Sequence, residues 1–215
     1  MARNKYPEET VNLILEVSGK LFMEKGYDET SIQDIIDNLG GLSKGAIYHH
    51  FKSKESILLE IFDRMGKVTE YEMTAIRDDK NLNGMEKLTK MFKSSMLNLE
   101  NLEMVAAAPN LVKNPRMLAI QMESIMSDVS PNYIEPVIRQ GLEDGSIQTD
   151  YPREISELLI LLSDIWINPL VYPMTKEEVT RKIGFFKMLT ELLGVPVMDD
   201  GLGERLKQLS VMIKK

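Results

Sequence analysis

The residues with the most chemistry to offer lie together: Gly40-Gly41-Leu42-Ser43-Lys44-Gly45-Ala46-Ile47-Tyr48-His49-His50-Phe51, then Lys52-Ser53-Lys54. Bond-breaking chemistry is not among their possibilities. His49 and His50 are the only histidines; neighbours on a helix point about 100° apart, so the pair does not chelate one ion, and neither has a carboxylate partner in sequence. No nucleophile with a base, no paired carboxylates and no metal-ligand spacing stand elsewhere, so we expect no catalysis, no metal and no cofactor. What the segment can do is touch phosphate and base edges. Ser43 is a helix-capping residue ahead of free amides, Lys44 brings a mobile charge, and Tyr48 and His49 can donate to phosphate oxygens. Gly45 costs a short helix about 1 kcal/mol against alanine, which suits a backbone that something must approach closely. Ile47 and Phe51, four apart, turn the opposite way, into a core.

Three short helices are needed to hold these groups. Pro7 fits the first turn of a helix, where its missing N–H costs nothing. Val11, Ile14, Leu15, Ser18, Leu21 and Phe22 then fall on one face, and Gly26 suits the position past the end. Thr30-Ser31-Ile32-Gln33 has the form of a capping box, Thr30 and Gln33 exchanging bonds, ahead of a stripe of Ile32, Ile35, Ile36 and Leu39. After the double glycine comes the third helix. Two short helices joined by a glycine turn, the second carrying exposed polar groups, are the sequence content of a helix-turn-helix.

The segment from Thr30 to Lys54, with Ile35, Gly40, Ser43-Lys44-Gly45, Tyr48, His50-Phe51 and Lys54, resembles the N-terminal DNA-binding domain of the TetR family of bacterial transcriptional regulators. The match covers about the first quarter of the chain; the rest agrees in length and helical pattern. The resemblance implies a homodimer on a palindromic double-stranded DNA operator, released when a small-molecule effector enters the C-terminal domain. It implies DNA-contacting roles for Lys44 and Tyr48 foremost, then Gly45 and Ser43, with His49, Thr30 and Lys54 as phosphate contacts. One departure stands out. The family's turn has a single glycine and a small apolar residue before the serine, whereas here Gly40 and Gly41 both precede Leu42.

Charge limits how such a protein would hold DNA. The 215 residues carry a net charge of -7; residues 1–52 hold 6 Lys+Arg and 8 Asp+Glu, hence -2, leaving -5 for the remainder. Affinity must therefore come from a few placed groups, Arg3, Lys5, Lys44, Lys52 and Lys54 among them, and not from a basic field. There is no cysteine, which fits a reducing compartment. Nor does an apolar run follow the N-terminus, and the run Leu158 to Leu162 is far below the roughly 20 residues that span a bilayer. A cytoplasmic protein without membrane contact is expected.

Beyond residue 52 the pattern is helical throughout, giving an all-α chain with a DNA-binding domain at 1–52 and a helical effector-binding and dimerisation domain at 53–215. Helices are expected at about 53–77, 85–102, 117–126, from Pro131 to Asp144, at 153–168, 175–193 and 203–213. Pro136 must start or kink the one that Pro131 opens. The segments 153–168 and 175–193 are the expected dimer interface, because Leu158, Leu159, Ile160, Leu161 and Leu162 are apolar all round the helix. Fifteen methionines suggest an adaptable cavity. Its expected lining is Met91, Phe92, Met122, Met126 and Trp166, with Met96, Met104, Met117 and Tyr133 as further candidates. The competing reading is a helical interaction adaptor that binds no DNA; it accounts for the acidic balance but not for Ser43-Lys44-Gly45 on a helix with little core to offer.

Overall fold

The computed structural model of the protein describes residues 7–42, 44–97, 114–168, 171, 174–198 and 201. Within them every regular element is a helix: α1 Pro7–Lys25, α2 Ile32–Asn38, α3 Lys44–His50, α4 Lys54–Arg77, α5 Gly84–Leu97, α6 Pro115–Ser124, π1 Ile125–Ile134, α7 Glu135–Asp144, α8 Pro152–Ile160, π2 Leu161–Trp166 and α9 Lys176–Leu192. None of these helices is long and apolar enough to cross a membrane. Ser43, Met104 and the expected helix at 203–213 lie outside the described residues, as does the side chain of Met96.

The chain packs as two compact units that divide inside α4, between Val68 and Thr69. The first is built as its periodicity requires. Ile14, Leu15, Leu21 and Phe22 of α1, Ile35 and Leu39 around α2, Ile47 and Phe51 around α3, and Ile57, Leu58 and Ile61 of α4 are all buried. The cap of α2 differs from expectation. Ser31, not Thr30, is the N-cap: its hydroxyl accepts from the Asp34 amide at 3.0 Å, and the Asp34 carboxylate accepts from the Ser31 amide at 2.8 Å. Asp34, three residues on from Ser31, closes this box and also meets Lys25 Nζ at 2.8 Å, fastening α2 to the end of α1. A carboxylate serves that reciprocal role as well as the expected glutamine, and Gln33 turns outward to Asp37.

In the second unit, Met91 and Phe92 of α5, Ile125, Tyr133 and Ile134 of π1, Val137 and Ile138 of α7, Leu159 of α8 and Phe186 of α9 belong to one core. Two glycines let α5 and α7 touch backbone to backbone: a Cβ on Gly84 would lie 2.3 Å from the Gly141 Cα. The end of α7 also completes the start of α5, Asp144 accepting from the Gly84 amide at 2.8 Å and Ser146 Oγ from the Met85 amide at 3.1 Å.

Pro131 does not open a helix. Helical backbone is continuous from Pro115 to Asp144, and Pro131 sits inside the π segment. A proline costs a helix the bond its N–H would make, and wider π spacing accommodates the disruption. Pro136 likewise has no N–H for the carbonyl of Asn132, four residues earlier, and Arg77 Nη1 at the end of α4 donates to that carbonyl at 2.9 Å. Lys87, buried on α5, in turn donates to the Arg77 carbonyl and to Gln140 Oε1, both at 2.6 Å.

Candidate nucleic-acid interface

The turn that presents α3 is built on its two glycines. Gly40 has φ 61° and Gly41 φ 107°, two consecutive residues in a region that side chains disfavour, and apart from each glycine and its chain neighbours no atom comes within 4 Å of where their Cβ atoms would be. The pair is there for its backbone conformation and not for packing. Leu39 closes α2 by donating its amide to the Ile36 carbonyl, and Leu42, half-buried, leads into α3.

On α3, Ile47 is fully buried while Lys44, Gly45, Tyr48 and His49 are exposed. Lys44 Nζ lies 5.8 Å from the centre of the Tyr48 ring, within cation–π range, so one turn of helix presents an ammonium and a phenol side by side. The His49 and His50 rings meet edge to face at 5.1 Å. Such a surface can donate hydrogen bonds to an anionic partner through Nζ, the phenol and the imidazole.

Two residues expected to reach phosphate are spent inside the protein. Thr30 is 1% exposed; its hydroxyl donates to the Gly26 carbonyl at 2.8 Å and stands 3.3 Å from the Leu21 carbonyl. The signal that misled is chemical, since a threonine ahead of a helix both caps and contacts well. Here the cap is supplied by the next residue. Lys54 points toward the turn between α1 and α2, where Nζ donates to the Tyr27 carbonyl at 2.6 Å and the Thr30 carbonyl at 2.7 Å and lies 4.2 Å over the Tyr27 ring. Burial pulls its ammonium below the usual lysine value, and the same burial raises the Tyr27 phenol. Lys54 therefore holds the start of α4 against the end of the α1–α2 turn. Lys52, two residues earlier, is exposed.

The residues expected to line an effector cavity are dispersed in burial. Met91 and Phe92 are buried in the core of the second unit, Phe92 stacked 6.3 Å from Phe186. Trp166 is half-buried against that core, its ring edge-on to Phe185 at 5.7 Å and its carbonyl accepting from Lys182 Nζ at 2.6 Å. Met122 is half-buried on α6, and Met126 is 39% exposed. A surface hollow of about 320 Å³ on α5 is lined by Met85, Glu86, Thr89, Lys90 and Lys93, none of them among the expected residues. Composition singled out methionines, but helical register and neighbours set which of them face inward. Among the described residues no group of three or more His, Cys, Asp or Glu side chains is placed to hold a metal ion.

Residues 14–61 match the profile of bacterial regulatory proteins of the tetR family, and residues 93–189 match that of the tetracyclin repressor-like C-terminal domain. Over 180 residues the chain is 27% identical to the HTH-type transcriptional repressor KstR2 of Mycobacterium tuberculosis, covering 79% of this chain and 86% of that protein. A shorter stretch of 50 residues is 44% identical to the HTH-type transcriptional regulator QacR of Staphylococcus aureus, covering 23% of this chain and 26% of that one. Among solved structures, a TetR-family transcriptional regulator from Pectobacterium atrosepticum superposes with a TM-score of 0.63 at 20% identity, over 90% of this chain and 98% of that one.

Proposed function

The chain belongs to the TetR family of DNA-binding transcription regulators, and from that premise we propose that it is a repressor that binds a palindromic operator as a homodimer and leaves it when a small molecule occupies the helical domain. The observation that carries this reading is the exposed row Lys44, Gly45, Tyr48 and His49 on a helix whose other side is locked into the core by Ile47. A helix so divided has one face to read a groove and one to hold its angle. In this reading 1–52 is the DNA-binding domain and 53–215 the effector and dimerisation domain.

Dimerisation is supported by α9. Phe185, Met188 and Leu192 are exposed at spacings of three and four, Leu192 at 81%, with the exposed Gly184 beside them, so an apolar stripe runs along the helix. A second copy of the same stripe is its natural cover, since a two-fold contact pairs like with like. Two recognition helices so joined reach half-sites about 34–36 Å apart, which one copy does not. Ligand and DNA then oppose each other by linkage: an effector that prefers the form unable to span both half-sites lowers DNA affinity by the same coupling factor.

The direct test is a gel shift with the DNA upstream of the chain's own gene, using wild type, Lys44→Ala and Tyr48→Ala. Wild type should bind and each variant should bind at least several-fold more weakly. Equal binding by all three would show that α3 is not the reading surface.

A further inference from the structure

Asp164 of π2 is a charge that the fold has taken from water without giving it a partner. It falls at helical spacing beside Ile160 and Ile167, both buried, and so on the inward side of its segment. Its carboxylate receives one side-chain bond among the described residues, from Ser163 Oγ at 3.1 Å, and the Ile160 carbonyl at 3.2 Å competes for that hydroxyl's only proton. Asn168 donates its side-chain amide to the backbone carbonyl of Asp164 at 2.8 Å, not to the carboxylate. The cation that α9 brings to π2, Lys182, is taken by the Trp166 carbonyl at 2.6 Å and lies 4.8 Å over the Trp166 ring. Burial without a countercharge pushes the Asp164 carboxyl up to about 6, which leaves it ionised at neutral pH.

Desolvated as it is, the group is not sealed in. All six residues of π2 are half-buried, Asp164 among them, whereas α8 just before it buries Ile155, Leu159 and Ile160. A helix that is partly accessible all round is incompletely packed, and a carboxylate both stripped of water and reachable stands at a pocket wall. Its neighbours there are apolar: Leu161, Leu162, Ile165 and Trp166 pack against the core of the second unit and keep part of their surface open. A π segment inserted in an α-helix is frequent at such places.

We infer that Asp164 anchors the effector and that the effector is an organic ammonium, its cationic head on the carboxylate and its apolar body along Leu161, Leu162, Ile165 and Trp166. The assignment rests on the ligand-released reading above and names the chemical class of that ligand. An ammonium supplies both things the carboxylate lacks, a countercharge and N–H donors. An anionic ligand would meet like charge, and a neutral one would leave the buried charge unpaired. Occupancy also bears on α9, because Trp166 of the same segment is held by Lys182 and Phe185 of the helix that carries the exposed apolar stripe.

Three probes that share one body and differ in the head test this: phenylbutylamine, phenylbutanol and phenylbutyrate. Calorimetry on the full chain without DNA, at about pH 7.5, keeps both the amine and Asp164 charged. Wild type should bind the amine at least about tenfold more tightly than the alcohol or the carboxylate. Asp164→Asn, of the same shape without the charge, should bind amine and alcohol alike. In gel shifts on the upstream DNA the amine should release the wild-type chain and leave the Asp164→Asn chain bound. Equal binding of the three probes, tighter binding of the carboxylate, no binding of the amine at millimolar concentration, or a preference that survives Asp164→Asn would overturn the assignment, as would amine binding that leaves the operator complex intact. The head-group preference needs no DNA, so a chain that shows it but never shifts the upstream DNA keeps the Asp164 cation site and loses the repressor reading.

Discussion

At the scale of single residues, the glycine pair sets how α3 is offered. Both glycines have positive φ with open space around them, so replacing either by alanine adds no clash and costs only backbone strain, about 1–2 kcal/mol each. Gly41 at 107° lies farther from the left-handed minimum that side chains can tolerate, and Gly41→Ala should be the more damaging. We expect urea midpoints to fall in the order wild type, Gly40→Ala, Gly41→Ala. A Gly41→Ala protein as stable as wild type would mean that the turn has an alternative path. Thr30 and Lys54 carry a second residue-scale lesson. A polar side chain near a DNA-facing helix is available to DNA only if the fold has not already used its hydrogen-bonding capacity, as it has for both of these.

Among the elements, α9 has the most unfinished surface. Its inward side, Val179, Ile183 and Phe186, is buried in the core, while Phe185 and Met188 stand 47% and 53% exposed. Charging that outer stripe with Phe185→Glu and Met188→Glu together should leave the core intact and repel a second copy. Light scattering after gel filtration should then move from dimer to monomer at micromolar concentration, and operator affinity should fall at least tenfold through loss of the second half-site. A double variant that stays dimeric would place the interface elsewhere. The π segments are the other element-scale finding. In π1 a proline that would end an α-helix, Pro131, is absorbed, and the carbonyl that Pro136 of α7 leaves unserved is taken by Arg77 from the end of α4.

For the molecule as a whole, two carboxylates, one in each unit, should answer acid in opposite directions. Asp34, exposed in the first unit, is held below the usual carboxylate range by its bonds to Lys25 and then Ser31. Its stabilising contribution is present above about pH 4, the ordinary carboxylate value, and is lost as pH falls through its lower folded value. Asp164, in π2 of the second unit, is pushed up to about 6 by desolvation, partly offset by a 3.1 Å bond from Ser163 Oγ. Between about 4 and 6 the folded state holds a proton there that the unfolded chain has released, so its contribution becomes less favourable as pH rises through that window and stays so above it. Asp164→Asn should raise stability at pH 7 by up to roughly 2–3 kcal/mol and remove that part of the pH dependence. Calorimetry across pH 4 to 7 checks it; a variant whose stability tracks wild type at every pH would show that the carboxyl is not desolvated.

What the sequence determined by itself was local. Period-3.6 apolar stripes, the glycine turn and the proline positions were enough to give helices α1 to α4, the buried side of α3 and the exposed row Lys44, Gly45, Tyr48, because each depends on neighbours within a few turns. The capping residue of α2 was missed by one position, since Thr30 and Ser31 are equally able caps and only the approach of the Gly26 and Leu21 carbonyls decides which hydroxyl turns inward. Tertiary structure alone decided that Lys54 crosses to carbonyls 24 and 27 residues away, that Pro131 sits within a continuous helix, and that Met91 and Phe92 are buried while Met126 is not. The reason is common to all three: a side chain's fate depends on which polar groups and surfaces arrive from distant parts of the chain, and sequence spacing carries no record of that arrival.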